Sequence, residues 1–164
     1  MKVLLTGTPC SGKSTAIRLL EDLGYSVIHE SAAELIRDSE YHPAKDYDMF
    51  NYVLHWKIEK AQRAIKPGEL TFLDRSYLDA VAFFKVLGKP IPEYLQKHSH
   101  LDYYKIFLFE PLPWIDDGIR HEGTEFQLKI HEALKEVYPT YIPVPDFGKP
   151  EIRVEFILKE ISKW

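Results

Sequence analysis

The chain is poor in sulfur. Its only cysteine is Cys10, so no internal disulfide can form. That usage fits a reducing compartment, and a cytoplasmic location is expected. No apolar run approaches the roughly 18 residues of a membrane span. The short apolar run after Lys2 stops at a glycine-rich turn, unlike a secretory signal. There is no surplus of positive charge either: 21 Lys and Arg face 25 Asp and Glu, a net of -4. Duplex nucleic acid is therefore not an expected partner, because neutralising phosphates takes clustered cations. Internal repeats and low-complexity tracts are also missing. At 164 residues the chain suits one compact domain that needs no disulfide or metal staple.

Against those absences stands a regular alternation of apolar strands and amphipathic helices. Strands are expected at Lys2 to Thr6, Tyr25 to His29, Leu70 to Asp74, Tyr104 to Phe109 and Tyr141 to Val144. Helices are expected after Lys13 up to Gly24, over Ser31 to Arg37, Asp46 to Ile65 and Ser76 to Leu87. A short helix with a loop falls in Pro90 to His100. Longer helices follow over Phe126 to Val137 and Ile152 to Ile161. Runs such as LTFLD and KIFLF are apolar throughout, as strands covered on both faces are. The expected fold is therefore α/β: three layers, with a five-stranded, mostly parallel sheet between helices.

Between the first strand and first helix lies Gly7-Thr8-Pro9-Cys10-Ser11-Gly12-Lys13-Ser14, followed by Thr15. It fits G-x-x-x-x-G-K-[ST], the phosphate loop of the P-loop NTPase fold, in the strand-to-helix context that gives the pattern meaning. Glycines let successive N–H groups turn inward around an anion, and the helix dipole adds positive charge. Lys13 is expected on the β- and γ-phosphates, Ser14 on magnesium and Thr15 on the α-phosphate. The expected cofactors are ATP and Mg2+. No Asn/Thr-Lys-x-Asp guanine signature is present, which tilts the base toward adenine. Cys10 occupies a variable position and reads as a half-buried bystander thiol.

In a doubly wound sheet, ligands gather at the carboxyl ends of the strands. Asp74 ends the third strand, where a magnesium-holding acid belongs; the other reading is a helix cap shared with Ser76. Arg75 has the planar fork that clamps phosphate oxygens. Glu30, after the second strand, is a candidate general base for a substrate hydroxyl, with a first-turn helix acid as the alternative. His29 reads as a partly buried structural histidine. Asp79 lies one turn after Arg75 on the same face; it orients Arg75, binds a substrate hydroxyl, or forms a plain helix ion pair. The polar stretch 111–124 reads as a lid that closes over the phosphates, with Arg120 as charge donor. There Asp117 binds the second substrate or fixes Arg120, and Trp114 stacks on a base or anchors the loop. The Val144 to Gly148 turn borders the base or is only a turn.

On GTPCSGKST, FLDRSYLD and LPWIDDGIR, the chain resembles small P-loop kinases. More narrowly, it looks like the group that includes the nicotinamide-riboside kinase part of NadR-type proteins and related stand-alone ATPases. The Pro-Trp…Asp-Gly-x-Arg segment is the most particular match. The resemblance implies Mg-ATP, a small-molecule phosphate acceptor such as a nucleoside, and roles for Lys13, Ser14, Asp74, Arg75 and Arg120 as above. A Glu after the second strand and Asp-Arg-Ser after the third also resemble deoxynucleoside kinases, which supports Glu30 as base. NadR-type proteins carry a separate adenylyltransferase domain, for which this length leaves no room, so another acceptor is an open expectation. Alternatives are a nucleotide-dependent binding module, a simple ATPase and, from the likeness of residues 1–25 to adenylate-kinase-like proteins, a nucleoside-monophosphate kinase.

Overall fold

The structure is a computed structural model that describes residues 1–38, 41–96, 102–113 and 123–163. Its five strands are β1 (Lys2–Gly7), β2 (Ser26–Ile28), β3 (Thr71–Asp74), β4 (Lys105–Phe109) and β5 (Ile142–Val144). They form one sheet in the order β2-β3-β1-β4-β5, and every pairing is parallel. The helices among the described residues are α1 (Lys13–Asp22), α2 (Ser31–Asp38), α3 (Tyr47–Arg63), α4 (Asp79–Val86), α5 (Glu93–Gln96), α6 (Gly123–Val137) and α7 (Pro150–Ser162).

The period of two along the strands divides the core. Val3, Leu5, Phe72, Phe107 and Phe109 face one side, against α1 (Ile17, Leu20) and α7 (Val154, Ile157). Leu4, Leu73, Ile106 and Leu108 face the other, against α4 (Ala82) and α6 (Ile130, Leu134). Each fully buried Leu or Phe adds roughly 1.5–3 kcal/mol of burial free energy, so both faces must stay covered.

The crossover after β1 leads toward β2 with α1 on one face. The crossover after β3 passes β1 to reach β4, with α4 on the opposite face. Neighbouring strands β1 and β3 thus send their helices apart, which opens a crevice at their carboxyl ends. Asp74 sits level with Leu5 there, and the chain enters the phosphate loop two residues later.

Two expectations need correction. The helix expected from Ser76 starts at Asp79. Residues 76–78 instead make a tight turn, with the Asp79 N–H on the Ser76 carbonyl (3.1 Å) and the Leu78 N–H on the Ser76 hydroxyl (3.2 Å). His29 is exposed, not partly buried; it sits beyond the end of β2 and pairs with Glu21 at 2.9 Å. The lid's Trp114, Asp117 and Arg120 lie outside the described residues.

Candidate functional site

The phosphate loop is built by close approach. A Cβ on Gly7 (φ +150) would come within 3.0 Å of both the Phe109 carbonyl and the Ser11 hydroxyl. Only glycine lets β1 leave the sheet beside β4. Cys10 (φ 58) and Gly12 (φ 83) both take left-handed backbone angles. Such a turn directs peptide N–H groups to one side and carbonyls to the other. A left-handed angle costs a non-glycine residue roughly 1–2 kcal/mol, so the surroundings must hold Cys10 there.

Lys13 opens α1 and is buried. Its ammonium donates to the Thr8 carbonyl at 2.7 Å and the Ser11 hydroxyl at 3.1 Å. The Ser11 hydroxyl in turn donates to the Thr8 carbonyl at 2.9 Å. Burial, and then repulsion from the Arg75 guanidinium, pull the Lys13 pKa down to about 7; Asp74, Glu30 and Asp79 act against this. The ammonium therefore lacks a full counter-charge of its own. Thr15 is exposed in the first turn of α1.

Ser14, also in the first turn, donates its hydroxyl to Asp74 Oδ2 at 2.9 Å. Asp74 is buried, and its Oδ1 has no hydrogen-bond partner. The described residues contain no group of three or more His, Cys, Asp or Glu able to hold a metal. A hydroxyl, one carboxylate with a bare oxygen, and a phosphate loop beside them are the donor set magnesium takes when the substrate supplies the remaining ligands. The residues present therefore fit Mg2+.

Glu30, Arg75 and Asp79 come together although they arise from different elements. Arg75 leaves β3 with a left-handed φ of 71, and its N–H reaches the Leu5 carbonyl at 3.0 Å. Its Nε lies 3.1 Å from Glu30 Oε1 and its Nη1 lies 3.4 Å from Asp79 Oδ2. The guanidinium also stands 5.8 Å from the centre of the Phe83 ring. Burial works against its charge, but Glu30, Asp79 and Asp74 outweigh it and hold the pKa above the ordinary value.

Asp79 is the anchor of this group. Its Oδ2 accepts from the Thr6 hydroxyl at 2.8 Å, and its Oδ1 accepts from the buried Tyr138 phenol. Burial raises its pKa, against the pull of Arg75 and of these two donors. The Tyr138 phenol is pushed well above its usual value, first by burial and then by the Asp79 charge. With both oxygens engaged, Asp79 faces Arg75 and the core. The Val144 to Gly148 segment closes as a turn, the Gly148 N–H on Asp146 Oδ1 at 2.9 Å.

Sequence reasoning missed two side chains. Gln127 of α6 donates to the Pro9 carbonyl at 3.1 Å, and Arg153 of α7 donates to the Ser11 carbonyl at 2.6 Å. The signal was available: each is a polar residue inside the apolar stripe of its helix, beside Ile130 and Leu134 in one case and Val154 and Ile157 in the other.

The parallel sheet, the glycine-built loop and the acid at the end of β3 define a P-loop protein. The chain belongs to the AAA domain family, whose pattern it matches over residues 2–148. The fold is also that of two kinds of solved structure. One is the deoxyadenosine kinase from M. mycoides with bound dATP: TM-score 0.71, 16% identity, covering 99% of this chain and all of that one. The same enzyme with bound dCTP superposes with a TM-score of 0.67 at 17% identity, each chain 99% covered. The other is a NadR protein in complex with NR: TM-score 0.70, 18% identity, covering 98% of this chain but half of that one. At such identities the likeness shows the fold. No match was found among curated protein sequences.

Proposed function

We propose that this protein is a kinase that transfers the γ-phosphoryl group of Mg-ATP to the hydroxyl of a small molecule, a nucleoside of deoxynucleoside or nicotinamide-riboside type. The observation that carries this reading is the Glu30–Arg75 ion pair at 3.1 Å. In this reading Glu30 is the acid and Arg75 the clamp, both close enough to Lys13 to act on its charge, and they serve the acceptor hydroxyl and the terminal phosphate. Solved structures of the same fold, a deoxyadenosine kinase with dATP bound and a NadR protein with NR, support a nucleoside as acceptor.

The loop amides and Lys13 hold the β- and γ-phosphates. Once phosphate charge replaces the missing counter-charge, Lys13 stays protonated. Ser14 and Asp74 would hold magnesium, which neutralises charge on the phosphate oxygens when bound. Glu30 takes the acceptor's proton as its oxygen attacks phosphorus, and Arg75, braced by Asp79, neutralises the equatorial oxygens. Thr15 contacts the α-phosphate. Arg120, Asp117 and Trp114 keep their lid roles: charge donor, acceptor contact and base contact.

The test is ATP turnover with a panel of nucleosides, nicotinamide riboside, nucleoside monophosphates and other small alcohols, with products followed by mass. A gain of one phosphoryl group on an added nucleoside, lost in Glu30→Gln, is the expected result. If no acceptor raises turnover above the level with water, the proposal is wrong.

A further inference from the structure

The phosphate loop has an outer side as well as an inner one. Inside, the Thr8 carbonyl is occupied by Lys13 and Ser11. The carbonyls of Pro9 and Ser11 are instead met by α6 and α7. Gln127 Nε2 donates to the Pro9 carbonyl at 3.1 Å and to the Leu112 carbonyl at 3.2 Å. Arg153 Nη1 donates to the Ser11 carbonyl at 2.6 Å, and its Nε to the Pro145 carbonyl at 2.9 Å. Both side chains are at least nine-tenths buried.

A trans peptide is planar, so its N–H points opposite to its carbonyl. No cis peptide occurs among the described residues. Holding the Pro9 and Ser11 carbonyls toward α6 and α7 therefore turns the N–H groups of Cys10 and Gly12 to the open side of the loop. These are the two residues in the loop with left-handed angles near +60 to +80: Cys10 at 58 and Gly12 at 83. The clamps thus act on the peptides that must stay flipped. Packing at Gly12 is close, since a Cβ there would lie 2.9 Å from Arg153 Nη1.

The charge of Arg153 supports the same conclusion. No carboxylate of the described residues forms an ion pair with it, and its Nη2 is buried without a partner. Its guanidinium lies 5.3 Å from the centre of the Phe109 ring. Burial lowers its pKa, with Asp146 and Glu110 acting against this. A buried cation with carbonyls for company is stabilised when an anion arrives on the far side of the peptide it holds.

We propose that Arg153 and Gln127 are positioning residues for the phosphate loop: they preset the Gly12 and Cys10 amides for a polyphosphate and tie the loop to the segments at Pro145 and Leu112. This rests on the triphosphate-binding part of the reading above. Arg153 is the stronger of the two, because a charged donor makes the stronger hydrogen bond. Lysine in its place keeps the charge but cannot hold two carbonyls in the geometry of a planar fork.

The test measures binding of inorganic tripolyphosphate and of a nonhydrolysable ATP analogue, both with magnesium, by calorimetry well below each variant's Tm. Arg153→Met is expected to weaken both ligands by the same factor, about tenfold or more, as loss of a charge-assisted hydrogen bond implies. Gln127→Leu is expected to weaken both by about fivefold, and Arg153→Lys to fall between wild type and Arg153→Met. The Gly12 amide resonance, which should shift when tripolyphosphate binds, should shift less in Arg153→Met. If Arg153→Met binds both ligands within about twofold of wild type, with the same Gly12 shift and only a lower Tm, Arg153 is structural alone and the proposal is overturned. Should Arg153→Met not fold, Arg153→Lys and Gln127→Leu decide it: affinity unchanged in both overturns it, and weakening in either supports it. Failure of the wild type to bind either ligand would overturn this inference and the proposed function together. Normal wild-type binding with indifferent variants removes this one only.

Discussion

Asp74 and Asp79 are both buried acids within one short stretch of chain, and they are equipped differently. Asp79 has a donor on each oxygen, Tyr138 on one and Thr6 with Arg75 on the other. Asp74 has Ser14 on one oxygen and a bare second oxygen. A buried acid whose valences are filled from within belongs to the scaffold. One that keeps an oxygen unspent, next to a phosphate loop, is equipped for something from outside. Burial alone does not separate the two; hydrogen-bond accounting does.

The contrast can be broken from either end. The largest effect is expected from Asp79→Ala, which leaves the Arg75 charge and two donors without their common acceptor. It should cost about 3–5 kcal/mol of unfolding free energy, read by urea titration. A loss under about 1 kcal/mol would mean the network is not structural. Asp74→Asn is expected to do the reverse. Phosphoryl transfer should fall by about 10²–10³-fold, with a change in urea midpoint too small to explain it. Equal turnover in mutant and wild type would remove Asp74 from the metal site. Tyr138→Phe sharpens the scaffold side: it removes one donor from Asp79 without opening a cavity, and about 1–2 kcal/mol of stability should go with it.

A fourth prediction uses protons. In the unliganded protein burial holds the Lys13 pKa at about 7, below the ordinary 10.5 of a lysine. Between those values the unfolded chain binds more protons at this site than the folded one. Burying Lys13 therefore costs the fold nothing above about 10.5, where it is neutral in both states, and the cost grows as pH falls from there, reaching its full size below about 7. Polyphosphate binding reverses the shift. Near pH 8, calorimetry in buffers of different ionisation enthalpy should show uptake of nearly one proton per triphosphate, absent in Lys13→Met. Zero uptake in the wild type would mean the ammonium keeps its proton without phosphate. The smallest effect is expected at the exposed His29–Glu21 pair, where His29→Ala should change stability by less than about 1 kcal/mol.

These features were legible in the sequence to different degrees. The phosphate loop is a local pattern, so Gly7 to Thr15 could be read directly. The parallel sheet followed from uniformly apolar strands such as KIFLF. The α4 start was misplaced because Ser76 is a good capping residue, and here it closes a turn before the helix begins. His29 was misjudged because β2 is three residues long and ends before reaching it. Gln127 and Arg153 were overlooked for a different reason. They act on carbonyls at positions 9 and 11, which are distant in the chain. No spacing rule connects a residue on α7 to a peptide in the first loop. Only a polar residue on an apolar helix face marks it.

The central place of β1 has a consequence for biosynthesis. The strand is made before both of its neighbours, β3 at residues 71–74 and β4 at 105–109. Its partners must be translated before it can pair, and contacts of such long sequence separation form slowly. β1 therefore stays an unpaired apolar segment until β3 has been made, and its second edge stays open until β4 follows.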